Sequence, residues 1–141
     1  MMLPAIKQIK AGTRPSRKIL IKAIYMIFEY TIKTKGSIKV ITLKGELMEK
    51  SQALDLLNEV EECLSGKFNN FILNLEHLKY LNSSGLGVLI SILTRCRRLE
   101  GEVVVTNLSQ KVKELFLITK LNSVFTVTEN MEAAIASFKK I

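Results

Sequence analysis

The order of strand-like and helix-like segments is the feature that most constrains the fold of this chain. Apolar residues alternate with period two from Phe28 onward, as in Phe28, Tyr30 and Ile32, and Lys35-Gly36-Ser37 then supplies a turn. The alternation resumes in IKVITLKG, which Gly45 is expected to end. These two segments predict a β-hairpin. Helical and strand-like stretches follow in turn, so the predicted order is β-β-α-β-α-β-α-β-α.

Helices are predicted where apolar residues recur with period 3.6. The first covers residues 48–65, and Gly66 is expected to form its left-handed C-terminal cap. The second covers residues 84–100 and ends in arginines followed by glycine, which are helix-stop signals. Ser109 is expected to cap a third helix, and residues 129–138 form the fourth. The remaining predicted strands are residues 71–75, 102–107 and 124–127.

The fold class follows from this alternation. Strands that alternate with helices indicate a largely parallel sheet joined by crossover connections. A chain of 141 residues is long enough to bury one hydrophobic core. We therefore predict one compact α/β domain, a mixed sheet of about five strands with amphipathic helices packed mainly on one face.

The positive charge of the chain is concentrated at its N-terminus. The whole chain carries 21 Lys and Arg against 13 Asp and Glu, a formal net charge of +8. Six of these cations and none of the acids lie in residues 1–25, which leaves 21 − 6 = 15 cations against 13 acids, or +2, for the remainder. A nearly neutral globular part gives no support for direct nucleic-acid binding by the fold. The six cations are Lys7, Lys10, Arg14, Arg17, Lys18 and Lys22.

We divide the chain into a basic N-terminal extension, residues 1–25, and a domain, residues 26–141. Three interpretations of the extension remain open: an upstream segment if translation starts at Met26, a basic surface arm, or a targeting segment. The apolar stretch Ile19–Phe28 is interrupted by Lys22 and is too short to span a bilayer. No other segment is a membrane candidate.

The residue types that usually carry catalysis give little support for an enzyme. Cys63 and Cys96 match no metal-binding or redox spacing, and we interpret both as buried thiols in a reducing compartment. The single histidine, His77, is expected in a solvated loop. Ser83 and Ser84 lack the flanking glycines of a nucleophile elbow. No group of His, Cys and acidic residues has the spacing of a metal site.

The segment LNSSGLGVLISIL, residues 81–93, concentrates small polar residues at the start of a predicted helix. Ser83 or Ser84 is expected to cap this helix, while Gly85 and Gly87 let it pack close to the preceding strand. A phosphoryl group on such a serine would lie where free N–H groups and the helix dipole favour negative charge. The segment lacks the third glycine of a dinucleotide fingerprint and the lysine of a P-loop. A simple cap and a modification site both remain open.

The longer segment FILNLEHLKYLNSSGLGVLISIL resembles the signature of the STAS domain (sulfate transporter and anti-sigma factor antagonist), in its stand-alone anti-sigma factor antagonist form. ITLKGEL and EGEVVVTNLSQKVKELFLITKLNSVFTV resemble further parts of the same family. The resemblance covers Phe28 to Phe138. One departure is at position 82, where the family pattern has Asp and this chain has Asn.

The resemblance implies a non-enzymatic partner switch in bacterial sigma-factor control. Ser83 would be the phosphoacceptor. The partner would be an anti-sigma factor that is itself a serine kinase, a GHKL-type ATPase, and a serine phosphatase would restore binding. Because the ATP belongs to the partner, no cofactor is implied for this chain, which would be a cytoplasmic monomer or weak dimer. The residues implied in partner binding are Glu46, Asn82, Ser83, Ser84, Gly85, Leu86 and Gly87.

Asn82 keeps the size and capping ability of Asp but removes a charge beside the acceptor. We therefore expect phosphorylation at Ser83 less strongly than the family pattern implies.

Two other functions remain open. A STAS scaffold in a signalling assembly would bind partners without being phosphorylated. A small-ligand or nucleotide-binding STAS domain is the third reading.

Overall fold

A computed structural model describes residues 27–139 of the chain. These residues form one five-stranded sheet in the order β1-β2-β3-β4-β5, together with four helices. Two short 3₁₀ turns, Lys50–Ala53 and Leu121–Ser123, precede α1 and β5. The elements in chain order are β1 (Phe28–Lys35), β2 (Ile38–Leu47), α1 (Leu54–Ser65), β3 (Asn70–Leu81), α2 (Ser83–Arg98), β4 (Glu102–Thr106), α3 (Gln110–Ile118), β5 (Thr126–Thr128) and α4 (Met131–Lys139).

The predicted topology is confirmed. β1 and β2 are antiparallel, while β2–β3, β3–β4 and β4–β5 are parallel pairs. Lys35 pairs with Ile38, so the hairpin loop consists of Gly36 and Ser37 alone. Gly36 has φ +62°, the left-handed conformation that such a short loop requires and that glycine adopts without strain.

The two faces of the sheet are covered unequally, as predicted. On one face α1, α2 and α3 bury the main core, in which Leu56, Ile92 and Phe116 are at most 1% exposed. On the other face α4 packs alone. It covers a small cluster made of Ile38, Ile72, Val104 and Ala134.

Two strands extend further than the sequence predicts. β2 continues past Gly45 to Leu47, so the expectation that Gly45 ends the strand is wrong. β3 runs to Leu81 rather than stopping after five residues, and His77 therefore lies in a strand and not in a loop. The physical reason is a pair of register shifts between β2 and β3, which place extra residues on β3 and break its period-two pattern.

Several helix ends also differ from the sequence prediction. Residues 50–53 are a 3₁₀ turn, so α1 begins at Leu54. Gly66 has φ −82°, and the left-handed residue is its neighbour Lys67 with φ +70°; the predicted left-handed cap at Gly66 is wrong. Ser109 caps α3 as predicted, since its hydroxyl accepts from the Val112 N–H at 3.3 Å.

The two thiols differ in burial. Cys96 is fully buried on α2, as predicted, and burial raises its pKa to about 12. Cys63 on α1 is only half-buried, and burial raises its pKa as well. Both thiols are therefore poor nucleophiles at neutral pH.

The interpretations of residues 1–25 concern a segment outside the described residues. Within residues 27–139, no helix has the length and apolar character needed to cross a bilayer. The domain limit predicted at residue 26 lies one residue before the described part begins.

Because the two faces of the sheet are covered unequally, replacing an isoleucine by alanine should lower the free energy of unfolding by different amounts on the two faces. Ile92→Ala removes a fully buried side chain from the main core and should lower the free energy of unfolding by about 3–4 kcal/mol. Ile135→Ala on α4 removes a partly buried side chain and should cost about 1–2 kcal/mol. Urea unfolding of both variants checks this. An equal or larger cost at Ile135 would contradict the assignment of the main core.

Candidate functional site

The strand-to-helix corner between β3 and α2 is capped by Asn82. This residue has extended backbone angles, φ −110° and ψ −172°, and its Oδ1 accepts from the Gly85 N–H at 2.9 Å. Its carbonyl accepts the first helical bond, from the Leu86 N–H at 2.8 Å. The prediction that Ser83 or Ser84 is the cap is wrong, because both already lie in the first turn.

The amide nitrogen of Asn82 makes a second, long-range contact. Its Nδ2 donates to the Met48 carbonyl at 2.9 Å, which joins the start of α2 to the segment that follows β2. The Asn82 N–H also points at the Leu47 carbonyl, 3.5 Å away. A side-chain amide can accept at one atom and donate at the other, whereas an ionised carboxylate only accepts. This use of position 82 therefore requires Asn rather than Asp.

A second side-chain amide fixes the segment between β2 and α1. Gln52 Oε1 accepts from the N–H groups of Met48 and Glu49, at 2.7 and 2.9 Å. Its Nε2 donates to the Glu46 carbonyl at 3.0 Å. The sequence prediction did not include Gln52 in the site. The available signal was the spacing Glu49-x-x-Gln52, which matches a capping box.

The close approach of α2 to β2 depends on Gly85. A Cβ at this position would overlap the Leu47 carbonyl oxygen and lie 2.5 Å from Leu81 Cδ1. The predicted role of Gly85 in close packing is thus confirmed, but the backbone that it approaches is that of β2 rather than that of the preceding strand, β3. Gly87 has no such neighbour, because a Cβ there would meet no atom within 4 Å, so the same role predicted for Gly87 is wrong.

The predicted site residues fall into three groups by exposure. Ser83, Ser84 and Gly87 are exposed on the first turns of α2. Gly85 and Leu86 are buried and lie on the side of α2 that packs against the rest of the domain. Asn82 and Glu46 are half-buried, and the structure brings Glu46 to the same corner because its strand neighbour Leu47 contacts Asn82.

The first turn of α2 is suited to negative charge. The N–H groups of Ser83 and Ser84 precede the first helical hydrogen bond, so no carbonyl within the helix accepts from them. No acidic residue lies in this turn. The helix dipole adds a partial positive charge at the same place. An anionic group on Ser83 or Ser84 would therefore be stabilised by the backbone itself.

Apolar side chains lie exposed around the corner. Ser83, Gly87 and Ile90 are spaced i, i+4 and i+7, so they share one face of α2, and Ile90 is 38% exposed. Tyr80, 46% exposed, lies opposite Glu46 in the β2–β3 register. The corner thus combines two open hydroxyls with exposed apolar and aromatic surface, and aromatic residues such as tyrosine are enriched in protein-binding sites.

The residues considered for catalysis are not assembled here. His77 lies on β3 with its Nε2 3.9 Å from the carboxylate of Glu76. Within residues 27–139, no three His, Cys, Asp or Glu side chains converge as metal ligands would.

Comparisons with known proteins point to one family. Residues 29–134 match the family model described as the STAS domain. Over 68 residues the chain is 38% identical to BtrV of Bordetella bronchiseptica, whose name assigns it to the anti-sigma factor antagonists; the match covers 48% of this chain and 59% of BtrV. Over 107 residues it is 26% identical to the anti-sigma-B factor antagonist of Staphylococcus aureus, covering 73% of this chain and 86% of that protein.

Solved structures agree on the fold. The Bacillus cell fate determinant SpoIIAA in its phosphorylated form superposes with a TM-score of 0.62 at 20% identity, covering 78% of this chain and 99% of that one. An anti-sigma factor antagonist from Mycobacterium paratuberculosis gives a TM-score of 0.67 at 15% identity, covering 78% of this chain and 92% of the other.

The two glycines of α2 predict opposite effects of one substitution. Gly85→Ala forces a methyl group into the Leu47 carbonyl and should lower the free energy of unfolding by about 2 kcal/mol. Gly87→Ala meets open space and should raise it by about 0.5–1 kcal/mol, because alanine favours the helix. Denaturant unfolding measures both, and stabilisation by Gly85→Ala would contradict the close approach.

Because the Asn82 amide bridges to the Met48 carbonyl, we expect Asn82→Asp to lower the free energy of unfolding. The variant loses the bond to Met48 and sets a carboxylate oxygen against a carbonyl, so it should lose about 1–2 kcal/mol of stability. A stronger helix cap offsets only about 0.5 kcal/mol of this.

Asn130→Asp is the matched control. Asn130 also caps a helix, accepting from the Ala133 N–H at 2.8 Å, but within residues 27–139 its amide makes no bridge to a distant segment. The free energy of unfolding of this variant should stay within about 0.5 kcal/mol of the wild-type value. Equal losses in the two variants would remove the special role of the Asn82 amide.

Proposed function

The chain belongs to the STAS domain family, and from this membership we propose that it acts as an anti-sigma factor antagonist controlled by phosphorylation of Ser83. In this role it binds an anti-sigma factor that is a serine kinase of the GHKL ATPase type, and binding frees a sigma factor for transcription. Phosphorylation ends the binding, and a serine phosphatase restores it. The function is one of binding rather than catalysis, needs no cofactor of its own, and belongs to the cytoplasm.

One observation carries the proposal: the hydroxyl of Ser83 is exposed in the first turn of a helix whose corner is otherwise held rigidly. Asn82 and Gly85 fix the backbone on either side of the serines. The backbone that carries the hydroxyl is therefore presented to a kinase in a defined conformation. A relative in fold, SpoIIAA, is known in a phosphorylated form.

The switch follows from the charge of the phosphoryl group. A phosphoserine carries about −1.5 to −2 charges at pH 7. The free N–H groups of the first turn and the helix dipole accommodate this charge, so the fold keeps its structure. A partner packed against the corner would have to desolvate the phosphate without a cation opposite it, which is costly. Phosphorylation therefore changes the surface and leaves the fold intact.

The binding surface that we propose is centred on the exposed residues of the corner. The exposed Ser83, Ser84 and Gly87 contact the partner together with the half-buried Glu46, and Ile90 extends the surface along α2. The small side chains allow a partner to approach the helix closely. The other members of the predicted set, the half-buried Asn82 and the buried Gly85 and Leu86, hold the corner in shape.

The scaffold function is the second candidate, and Asn82 is the observation that favours it. Its amide holds the corner together through two hydrogen bonds. Because the residue is Asn and not Asp, position 82 offers no carboxylate to a cation of a kinase. A STAS domain can bind a partner through this surface whether or not Ser83 is phosphorylated.

The chain of residues 1–141 and its Ser83→Asp variant, used as paired baits, test the switch. The wild-type chain should recover a GHKL-type ATPase from lysate of the source organism. The variant should recover at least about tenfold less, since an added charge at the centre of an interface costs about 1.4 kcal/mol or more. Incubating the captured ATPase with Mg²⁺ and ATP should place phosphate on Ser83, located by mass spectrometry.

Ser37→Asp is the matched control for charge. Ser37 is exposed in the β1–β2 turn, at the opposite end of the strands from Glu46, and its variant should bind like the wild type. Equal recovery by the wild-type chain and Ser83→Asp would favour the scaffold function. Recovery of no such ATPase by either bait would remove the anti-sigma factor assignment.

A further inference from the structure

The two edge strands of the sheet differ in length. β5 forms one edge and has only three residues, Thr126–Thr128. β1 forms the other edge with eight residues; it contains no proline and pairs with β2 without a register shift. Within residues 27–139, no strand pairs with the outer edge of β1. A long and regular edge strand offers its backbone groups to a further strand, whereas a very short one does not.

The backbone groups of β1 that point to its outer edge can be assigned. The Glu46 N–H donates to the Ile27 carbonyl at 2.9 Å, so this pair of residues is hydrogen-bonded across the hairpin. Hydrogen-bonded and non-hydrogen-bonded pairs alternate along two antiparallel strands. The odd-numbered residues of β1 therefore bond to β2. The N–H and C=O groups that point outward belong to the even-numbered residues, Phe28, Tyr30, Ile32 and Thr34.

The side chains of β1 divide between the two faces of the sheet. Tyr30 and Ile32 are half-buried and pack against the main core. Because successive side chains in a strand point to opposite faces, Glu29, Thr31 and Lys33 lie together on the other face. Thr31 and Lys33 are exposed, and Glu29 is half-buried. One face of the edge strand thus carries an acid, a hydroxyl and a base in regular order.

This order is complementary to itself when two copies of β1 pair antiparallel with Thr31 at the centre. Glu29 of each copy then lies opposite Lys33 of the other, and Tyr30 lies opposite Ile32. The even-numbered residues face one another, so the N–H and C=O groups that point outward meet in hydrogen bonds. Pairs of opposite charge, pairs of an aromatic and a β-branched residue, and pairs of threonines all stabilise neighbouring strands.

Other antiparallel registers of two β1 strands lose these pairs. Centring the pair on Ile32 leaves Lys33 opposite Thr31 and Tyr30 opposite Thr34. Centring it on Lys33 sets two like charges directly against each other, which is destabilising. The lysines of β1 therefore discourage most pairings of this edge, as charges on edge strands commonly do, while Glu29 permits one.

We propose that β1 is an interaction surface for a second copy of this chain, which pairs antiparallel about Thr31 and joins the two sheets into one of ten strands. The inference does not depend on phosphorylation of Ser83, and the interface includes none of the residues of the β3–α2 corner. A contact made mainly by one strand from each copy is smaller than a standard stable interface, so we expect a dimer that dissociates on dilution.

Sedimentation equilibrium of the chain of residues 1–141 tests the inference. The wild-type chain should shift from monomer to dimer as its concentration rises through the micromolar range. Lys33→Glu and Glu29→Lys each place two like-charge pairs in the dimer, so each should raise the dissociation constant about tenfold. Both side chains lie on the face of β1 that is opposite to the main core, so the packing of the core is unchanged.

An equimolar mixture of these two variants provides a rescue. One chain then carries acids at both positions and the other carries bases, so both charge pairs of the mixed dimer are complementary. The mixture should form dimers with a dissociation constant within about twofold of the wild-type value. A misfolded variant could not be rescued in this way, so recovery reports on the pairing itself.

Lys35→Glu is the matched control. It makes the same change of charge on the same face of β1, two residues beyond Lys33, and in the proposed register no acid lies directly opposite it. Its dissociation constant should stay within about twofold of the wild-type value. A wild-type chain that stays monomeric throughout, a mixture that does not recover, or an equal loss in Lys35→Glu would overturn the inference.

Discussion

The contact of the α2 N-terminus with the end of β2 is the constraint on which the candidate site depends. It exists because position 85 has no side chain and because Asn82 has an amide that bonds in two directions. The first property allows the backbones to approach, and the second fixes them in register. Ser83 and Ser84 lie between these two residues. They therefore have a defined position, although they do not make the contacts that hold the corner together.

This separation of holding and exposed residues means that a change of charge on the exposed residues leaves the contacts that hold the fold in place. The residues that hold the corner face the main core, where Leu47 and Leu81 are at most 4% exposed. Ser83, Ser84 and Gly87 face outward and bear none of that packing. A charge added to Ser83 is solvated or met by free N–H groups, so its cost falls on a docked partner.

The element order and sheet type could be predicted from the sequence because apolar periodicity reports directly on burial. The ends of elements could not. In β3, buried residues after Leu75 recur at every third position, Leu78 and Leu81, because register shifts against β2 insert extra residues. That pattern contradicts period two, so the strand was predicted to end early. The end of α1 was also predicted incorrectly. A glycine after a helix commonly takes the left-handed conformation, but here the next residue, Lys67, takes it instead.

The strand-to-helix corner at residues 82–87 could be predicted from the sequence, but the structural roles of its residues could not. The segment at residues 82–87 contains hydroxyls, an amide and glycines, any of which suits a helix start, and only the backbone conformation of Asn82 assigns the cap. The bridge to Met48 spans 34 residues of sequence and leaves no local signal. It also gives position 82 a physical meaning. In this chain the residue beside Ser83 holds the corner together through a neutral amide that accepts at one atom and donates at the other, which a carboxylate cannot do.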